Sequence, residues 1–301
     1  MTLAISIILL SLLLLCLLYV FLISPRLPRA SMRAFVENCR YYAHRGLHSD
    51  TVPENSLPAF QKAVEAGFGI ELDVQITSDG VPVVFHDNTL TRMCGSDKGI
   101  HDFTLEELEQ FVLAGHEDVH IPTFEDVLAT VGGKVPLIIE IKAQLPEWPD
   151  TVNAVMKLLE SYEGPYCIES FNPMVLRKLR REYPSVLRGQ LCEYFSVHKK
   201  EGHHVSFVLH CGEWFLYNVV ARPDFIAYNC HHTKKPPFRL LTFLFPECTY
   251  ISWTTRKPEE EQTSHLFDAF IFEYYLPSLD TPQDDTDEPL PDTPQDDTKE
   301  N

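Results

Sequence analysis

From Tyr41 onward the chain alternates short, β-branched apolar runs with stretches whose apolar positions recur at helical spacing. That is the pattern of an α/β domain built on parallel strands. Nine runs read as strands: 41–44, 69–76, 81–86, 136–142, 165–170, 187–192, 224–229, 248–253 and 268–273. Only Ser78-Asp79-Gly80 separates the second from the third, too short for a parallel crossover and right for a hairpin. The run 81–86 is therefore expected to turn back antiparallel to 71–76 and carry His86 toward Asp73. The other eight strands, joined by helices, fit a closed (β/α)8 TIM barrel, with a β-hairpin excursion after the second strand. Helix punctuation agrees with this. Asn55 or Ser56 can cap a helix with Pro58 in its first turn and Gly67 at its end. Thr104 and Glu107 are spaced as a capping box, while Asn172-Pro173 opens a helix that Pro184 closes.

The two ends of the chain break the pattern. Met1 to Ser24 hold no charged side chain and are dominated by Leu, Ile and Val, long enough to span a bilayer as a helix. A secretory signal is the other reading, but no Lys or Arg precedes the run and its apolar core is long. Residues 1–24 are thus expected to form a transmembrane anchor, 25–40 a Pro/Arg-containing linker and 41–279 the barrel domain. Residues 280–301 read as a disordered acidic tail that repeats Asp-Thr-Pro-Gln-Asp-Asp-Thr. Arg26, Arg29 and Arg33 directly follow the apolar run. By the positive-inside rule they place the barrel in the cytoplasm as a single-pass membrane protein.

Charge and cysteine content narrow the partners. The net charge is −18, and the tail, with nine acids and one lysine, carries −8 of it. An acidic body argues against nucleic acid, whose phosphates need Lys/Arg surfaces. Eight dispersed cysteines without a CxxC read as reduced thiols. His203-His204, His210 with Cys211, and Cys230-His231-His232 lack zinc-ligand spacing and read as polar surface. The apolar and aromatic stretches 203–220 and 236–246 read as outer-ring helices, with a lipid-facing lip as the alternative.

Four short strings carry the chemistry: His44-Arg45-Gly46, Glu71-Leu72-Asp73, His86-Asp87 and Glu140-Ile141-Lys142. Each lies in or at the end of an apolar run, where a charge is costly unless paired. Strand alternation puts Ile70, Leu72, Val74 and Ile76 on one face and Glu71, Asp73 and Gln75 on the other. It likewise separates Leu137, Ile139 and Ile141 from Ile138, Glu140 and Lys142. With the apolar faces against the helices, Glu71, Asp73, Glu140 and Lys142 point into the lumen near the catalytic rim. Three converging carboxylates call for a hard divalent cation, Mg²⁺ or Ca²⁺. Beside Arg45 and Lys142 such a site suits a phosphate ester, and His44 and His86 can exchange protons with the attacking and leaving oxygens.

These strings, with Pro53-Glu54-Asn55-Ser56, the run Asp79 to Asp87, and Ser170-Phe171, resemble the glycerophosphodiester phosphodiesterase family over about 41–275. The resemblance implies a (β/α)8 barrel and metal-dependent hydrolysis of glycerophosphodiesters to glycerol 3-phosphate and an alcohol. It implies Glu71, Asp73 and Glu140 as metal ligands and His44 and His86 as the general acid/base pair. It further implies Arg45, Asn55, Lys142 and Trp253 as substrate-binding residues. Glu273 stands where the family more often has Asp. Two alternatives remain open: a lysophospholipase D acting on lysophospholipids, and a non-catalytic phosphodiester-binding barrel.

Overall fold

A computed structural model describes residues 2–26, 29–113, 115–116, 118–143, 146–197, 206–262 and 265–278. The acidic tail and His203-His204 lie outside the described residues. All nine expected strands are present: β1 Tyr41–His44, β2 Gly69–Ile76, β3 Pro82–Val84, β4 Leu137–Ile141, β5 Tyr166–Ser170, β6 Arg188–Cys192, β7 Phe225–Asn229, β8 Thr249–Thr255 and β9 Ala269–Phe272. Eight of them pair in parallel in the order β1-β9-β8-β7-β6-β5-β4-β2, and β1 closes the ring by pairing with β2. The strand β3 alone is antiparallel, with Val74 opposite Val84. The result is a (β/α)8 barrel with the expected hairpin at its rim.

Two cores follow from the alternation of the strands. Outside the barrel wall, Ile70, Leu72, Val74, Leu137, Ile139 and Ile141 pack against helix residues such as Phe60, Phe124 and Val155. Inside, Tyr42, Ile138, Cys167, Phe225, Ala227 and Ile251 fill the lower lumen. Burying each large apolar side chain is worth about 1.5–3 kcal/mol, which is why the lower lumen is packed and not a pore.

The segment read from sequence as a linker contains a helix, Ala30–Asn38, and belongs to the barrel. Its Met32 and Phe35 are buried in the inner core, and Phe35 stacks on Tyr42 with ring centroids 5.8 Å apart. Val36 and Cys39 pack against the same core, so the contacts recur at i, i+3, i+4 and i+7, a short helical face. The arginines used to infer orientation also have partners on the barrel. Arg26 and Arg29 reach Asp224 Oδ1 at 3.6 and 3.3 Å, and Arg33 reaches Glu247 at 3.1 Å.

The N-terminal helix Thr2–Ile23 carries no charged side chain and is predominantly apolar, and its stretch Leu3–Ile23 is long enough to cross a membrane. The stretches 206–221 and 236–246 contain helices Phe207–Glu213, Asn218–Ala221 and Pro236–Leu244 on the outer ring. Among them Phe238 stacks on Tyr228 with centroids 4.1 Å apart. All eight cysteines are free thiols.

Candidate active site

The site is assembled at the C-terminal ends of neighbouring strands. Register places His44 beside Glu71, Asp73 beside Glu140, and Glu140 beside Glu169. Partners across a ladder project to the same side, so this row of acids lines one wall of the lumen. The potential ligand atoms of Glu71, Asp73 and Glu140 all lie within 4.8 Å of one another. All three side chains are buried, as is Glu169.

Two cations answer four acids. Lys142 Nζ lies 2.9 Å from both Asp73 Oδ1 and Glu140 Oε2. Arg45 Nε lies 3.6 Å from Asp73 Oδ2, and its backbone N–H donates to Glu71 Oε2 at 3.1 Å. Burial raises the carboxyl of Asp73, but Lys142 and Arg45 outweigh it and hold the group well below the usual range. Glu71 and Glu169 shift the other way, pushed up by burial and by the neighbouring acids. Burial also lifts Glu140 to about 7 against the pull of Lys142. The cluster therefore lacks positive charge for the acids it holds. Hard oxygen donors with a charge deficit fit a divalent cation such as Mg²⁺ or Ca²⁺.

The turn after β1 is shaped for this site. Arg45 and Asn55 both adopt positive φ, 55° and 51°. A side chain there pays a steric cost, tolerated best by Asn among residues other than glycine. Ser56 caps the helix Leu57–Ala66 by accepting from Ala59 N. Asn55 is left free to donate Nδ2 to Asp73 Oδ2 at 2.8 Å. Gly46 is required for its φ of 80° and for space, since a Cβ there would lie 2.9 Å from Ala59.

The two histidines approach from opposite sides. His44 Nε2 lies 3.9 Å from Glu71 Oε2, and its Nδ1 lies 3.5 Å from Glu273 Oε1. Burial lowers its pKa to about 4, so the ring is neutral over the physiological range. The hairpin brings in His86, as expected: Phe85 N donates to Asp73 O at 2.9 Å. Gln75 Nε2 ties the strand's continuation down by donating to Phe85 O and Asp87 O. His86 Nδ1 is 2.7 Å from Asp87 Oδ1, which leaves Nε2 as the other working atom. A cleft of about 490 Å³ opens between the hairpin and the rim, lined by His86, Asp87, Asn88, Arg92 and Lys142.

A profile of the glycerophosphoryl diester phosphodiesterase family matches residues 44–226, more than half of the chain. The chain belongs to that family. A glycerophosphodiester phosphodiesterase of Caldanaerobacter subterraneus is 39% identical over 158 residues, 50% of this chain and 65% of that relative's length. Glycerophosphodiester phosphodiesterase 1 of Mus musculus is 30% identical over 271 residues, 78% of this chain and 77% of that protein. The fold matches that of an Oleispira antarctica phosphodiesterase solved with the product sn-glycerol-3-phosphate (TM-score 0.65, 21% identity, 79% and 94% of the two chains). It also matches the Thermotoga maritima glycerophosphodiester phosphodiesterase (TM-score 0.58, 25% identity, 78% and 94% covered).

Within this member of the glycerophosphoryl diester phosphodiesterase family, the structure brings His44, Arg45, Asn55, Glu71, Asp73, Glu140 and Lys142 into one connected cluster, and His86 faces the cleft that Lys142 lines. Trp253 sits on β8, packs edge-on against Phe171 at 5.7 Å, and has a buried Nε1 without a hydrogen-bond partner. Sequence reading missed Glu169 and Arg92, and singled out Glu273 without giving it a role. Glu169 is a fourth buried acid, signalled only by an acid near the end of a strand, as at Glu140. Glu273 sits behind His44 and also accepts from His48 at 3.1 Å and Arg256 at 3.0 Å. Arg92 joins Asp87 to Glu54, which in turn accepts from Arg45 at 2.6 Å. Outside this site, Cys230 and His231 do approach Glu260, with ligand atoms within 4.8 Å, in a half-buried to exposed setting.

Proposed function

We propose that this chain hydrolyses glycerophosphodiesters to glycerol 3-phosphate and an alcohol, as a phosphoric diester hydrolase. The observation that carries the proposal is the deficit of positive charge at Glu71, Asp73 and Glu140, in a barrel mouth that also holds two histidines and two cations. The three acids would hold Mg²⁺ or Ca²⁺. A cation held there would supply Lewis-acid polarisation of a phosphoryl oxygen and offset charge developing on it.

The protein's own groups account for the remaining tasks. Arg45 and Lys142, each at the mouth and mostly covered, offer N–H donors to non-bridging phosphate oxygens. His44, kept neutral by burial, takes the proton from the attacking oxygen, and Glu273 behind Nδ1 stabilises the imidazolium that forms. His86 delivers a proton from Nε2 to the leaving oxygen, with Asp87 orienting the ring; burial lowers the ring's pKa below its ordinary value, and Asp73 and Asp87 offset part of that shift. Asn55 holds Asp73, and Trp253 offers its unpartnered indole N–H to the substrate. Glu71→Gln and His86→Ala should each abolish release of glycerol 3-phosphate from glycerophosphocholine, as should a chelator. Undiminished turnover in both variants would rule out this mechanism.

The same reading assigns the apolar stretch Leu3–Ile23 as the membrane anchor of a barrel domain that takes in the helix Ala30–Asn38 and ends near residue 279. It is supported by a segment of mean hydropathy 3.0 that packs none of its most apolar stretch inside the protein. A second reading, cleavage of acylated glycerophosphodiesters, is favoured by the exposed Phe207 and Val208 on the outer ring. Comparing glycerophosphocholine with lysophosphatidylcholine as substrates separates the two.

A further inference from the structure

The apolar helix does not hang loosely from the barrel; its last turns are docked along the segment 206–224. Tyr19 Oη donates to Trp214 O at 3.5 Å, Asn218 Nδ2 donates to Ile23 O at 2.6 Å, and Arg222 Nη1 donates to Ser24 O at 2.8 Å. Arg26 N donates to Pro223 O at 2.9 Å. As the helix is followed backward from Arg26 to Tyr19, its partners therefore run from Pro223 back to Trp214.

The height of those partners on the barrel is fixed by β6. Cys192, the last residue of β6, donates Sγ to Gly212 O at 3.1 Å. Arg188, its first residue, donates Nε to Ala221 O at 3.1 Å. Gly212 thus lies level with the C-terminal, catalytic end of the strands and Ala221 level with the opposite end. Tyr19 is near the catalytic end, and the helix before it points past that end. At 1.5 Å per residue, Leu3 to Leu18 extend about 24 Å beyond the last contact.

The exposed apolar side chains are distributed in the same one-sided way. Outside the apolar helix, the large exposed ones among the described residues number eight. Met174, Phe207, Val208, Leu209, Tyr274 and Leu276 follow the C-terminal ends of β5, β6 or β9. Only Phe243 and Leu266 precede a strand, at the other end. Phe207 and Val208 begin the helix Phe207–Glu213, and are 82% and 62% exposed. Single exposed apolar residues are ordinary, but a cluster at the level from which an apolar helix departs marks a lipid contact.

We propose that the catalytic mouth faces the bilayer that the apolar helix enters, with Phe207 and Val208 seated in the same leaflet as a second contact; this rests on the anchor reading above. The barrel would then draw its phosphodiester from the membrane surface and not from the side remote from it.

The test uses the full chain in vesicles of phosphatidylcholine and phosphatidylglycerol with brominated acyl chains, which quench fluorophores that enter the hydrocarbon. A fluorescent amino acid replaces either Phe207 or Phe243, both solvent-facing, so neither change disturbs packing. The probe at 207 is expected to lose most of its emission relative to unbrominated vesicles, and the probe at 243 to be unchanged. An unquenched 207 probe, or equal quenching at both sites, in protein that floats with the vesicles overturns the orientation and leaves the anchor intact. Protein that fails to float overturns both.

Discussion

Lys142 Nζ lies 2.9 Å from Asp73 Oδ1, joining the end of β4 to the middle of β2 across the mouth of the barrel. Burial works against this ammonium, yet Asp73 and Glu140 raise its pKa above the ordinary lysine value. With Asp73 held low and Lys142 held high, the pair is charged at neutral pH. Lys142→Met would leave two buried carboxylates without that cation. Breaking such a pair costs about 3–5 kcal/mol. The loss, read from denaturant melts, is expected to be largest in chelator and to shrink when Mg²⁺ or Ca²⁺ is added. An equal loss in both buffers would remove the case for a cation at these acids.

Asn55 separates backbone shape from chemistry. Asn55→Gly keeps the left-handed turn but deletes the donor to Asp73, a charged hydrogen bond worth about 1.5–3 kcal/mol. Asn55→Ala deletes the donor and adds left-handed strain of about 1 kcal/mol. The alanine variant should melt below the glycine variant, and both below the parent. Coincident melts for the two variants would show that the turn is not held at its φ of 51°.

Glu169 has a raised carboxyl pKa, caused first by burial and then by Glu140 and Asp73. A group whose folded pKa is raised in this way costs stability once pH exceeds the ordinary carboxylate value, because the fold resists its ionisation. Glu169→Gln is therefore expected to raise the melting temperature in chelator in mildly alkaline buffer, and to change little in acid. Calorimetry across pH checks this. A variant less stable than the parent throughout would instead give the Glu169 carboxyl a structural hydrogen bond.

Arg92 acts in the opposite sense. Burial raises Glu54 and Asp87, but Arg92, with Arg45 and His86, brings both below their ordinary values of 4.5 and 3.8. Depressed carboxylates stabilise above those values, and the contribution disappears as pH falls through the lowered ones. Arg92 is half-exposed, so Arg92→Ala should cost only about 1 kcal/mol at neutral pH. Its stability should fall less steeply on acidification than the parent's. The larger effect is expected in kcat, because Asp87 then holds His86 less firmly.

The barrel was legible because strand alternation and a three-residue turn leave little freedom. Ser78-Asp79-Gly80 can only make a hairpin, and that one constraint places His86 by Asp73. The main acids were legible because each interrupts an apolar run. Glu169 gave a weaker signal, since its burial depends on register with Glu140 and not on its own neighbours. Glu273 and Arg92 act through partners far along the chain, which local pattern does not reveal. Docking of the apolar helix by Asn218 and Arg222 was illegible for the same reason. The helix Ala30–Asn38 escaped notice although Met32, Phe35 and Val36 keep helical spacing, because the stripe is only one turn long and lies between the prolines at 25 and 28 and the first strand.

That short helix has a practical consequence for any shortened form of the chain. Met32 and Phe35 are the stopper of the lower lumen. A chain trimmed to begin at Tyr41 would open Tyr42, Leu187 and Ile271 to water at the base of the barrel, whereas one beginning before Arg29 would keep the vessel sealed.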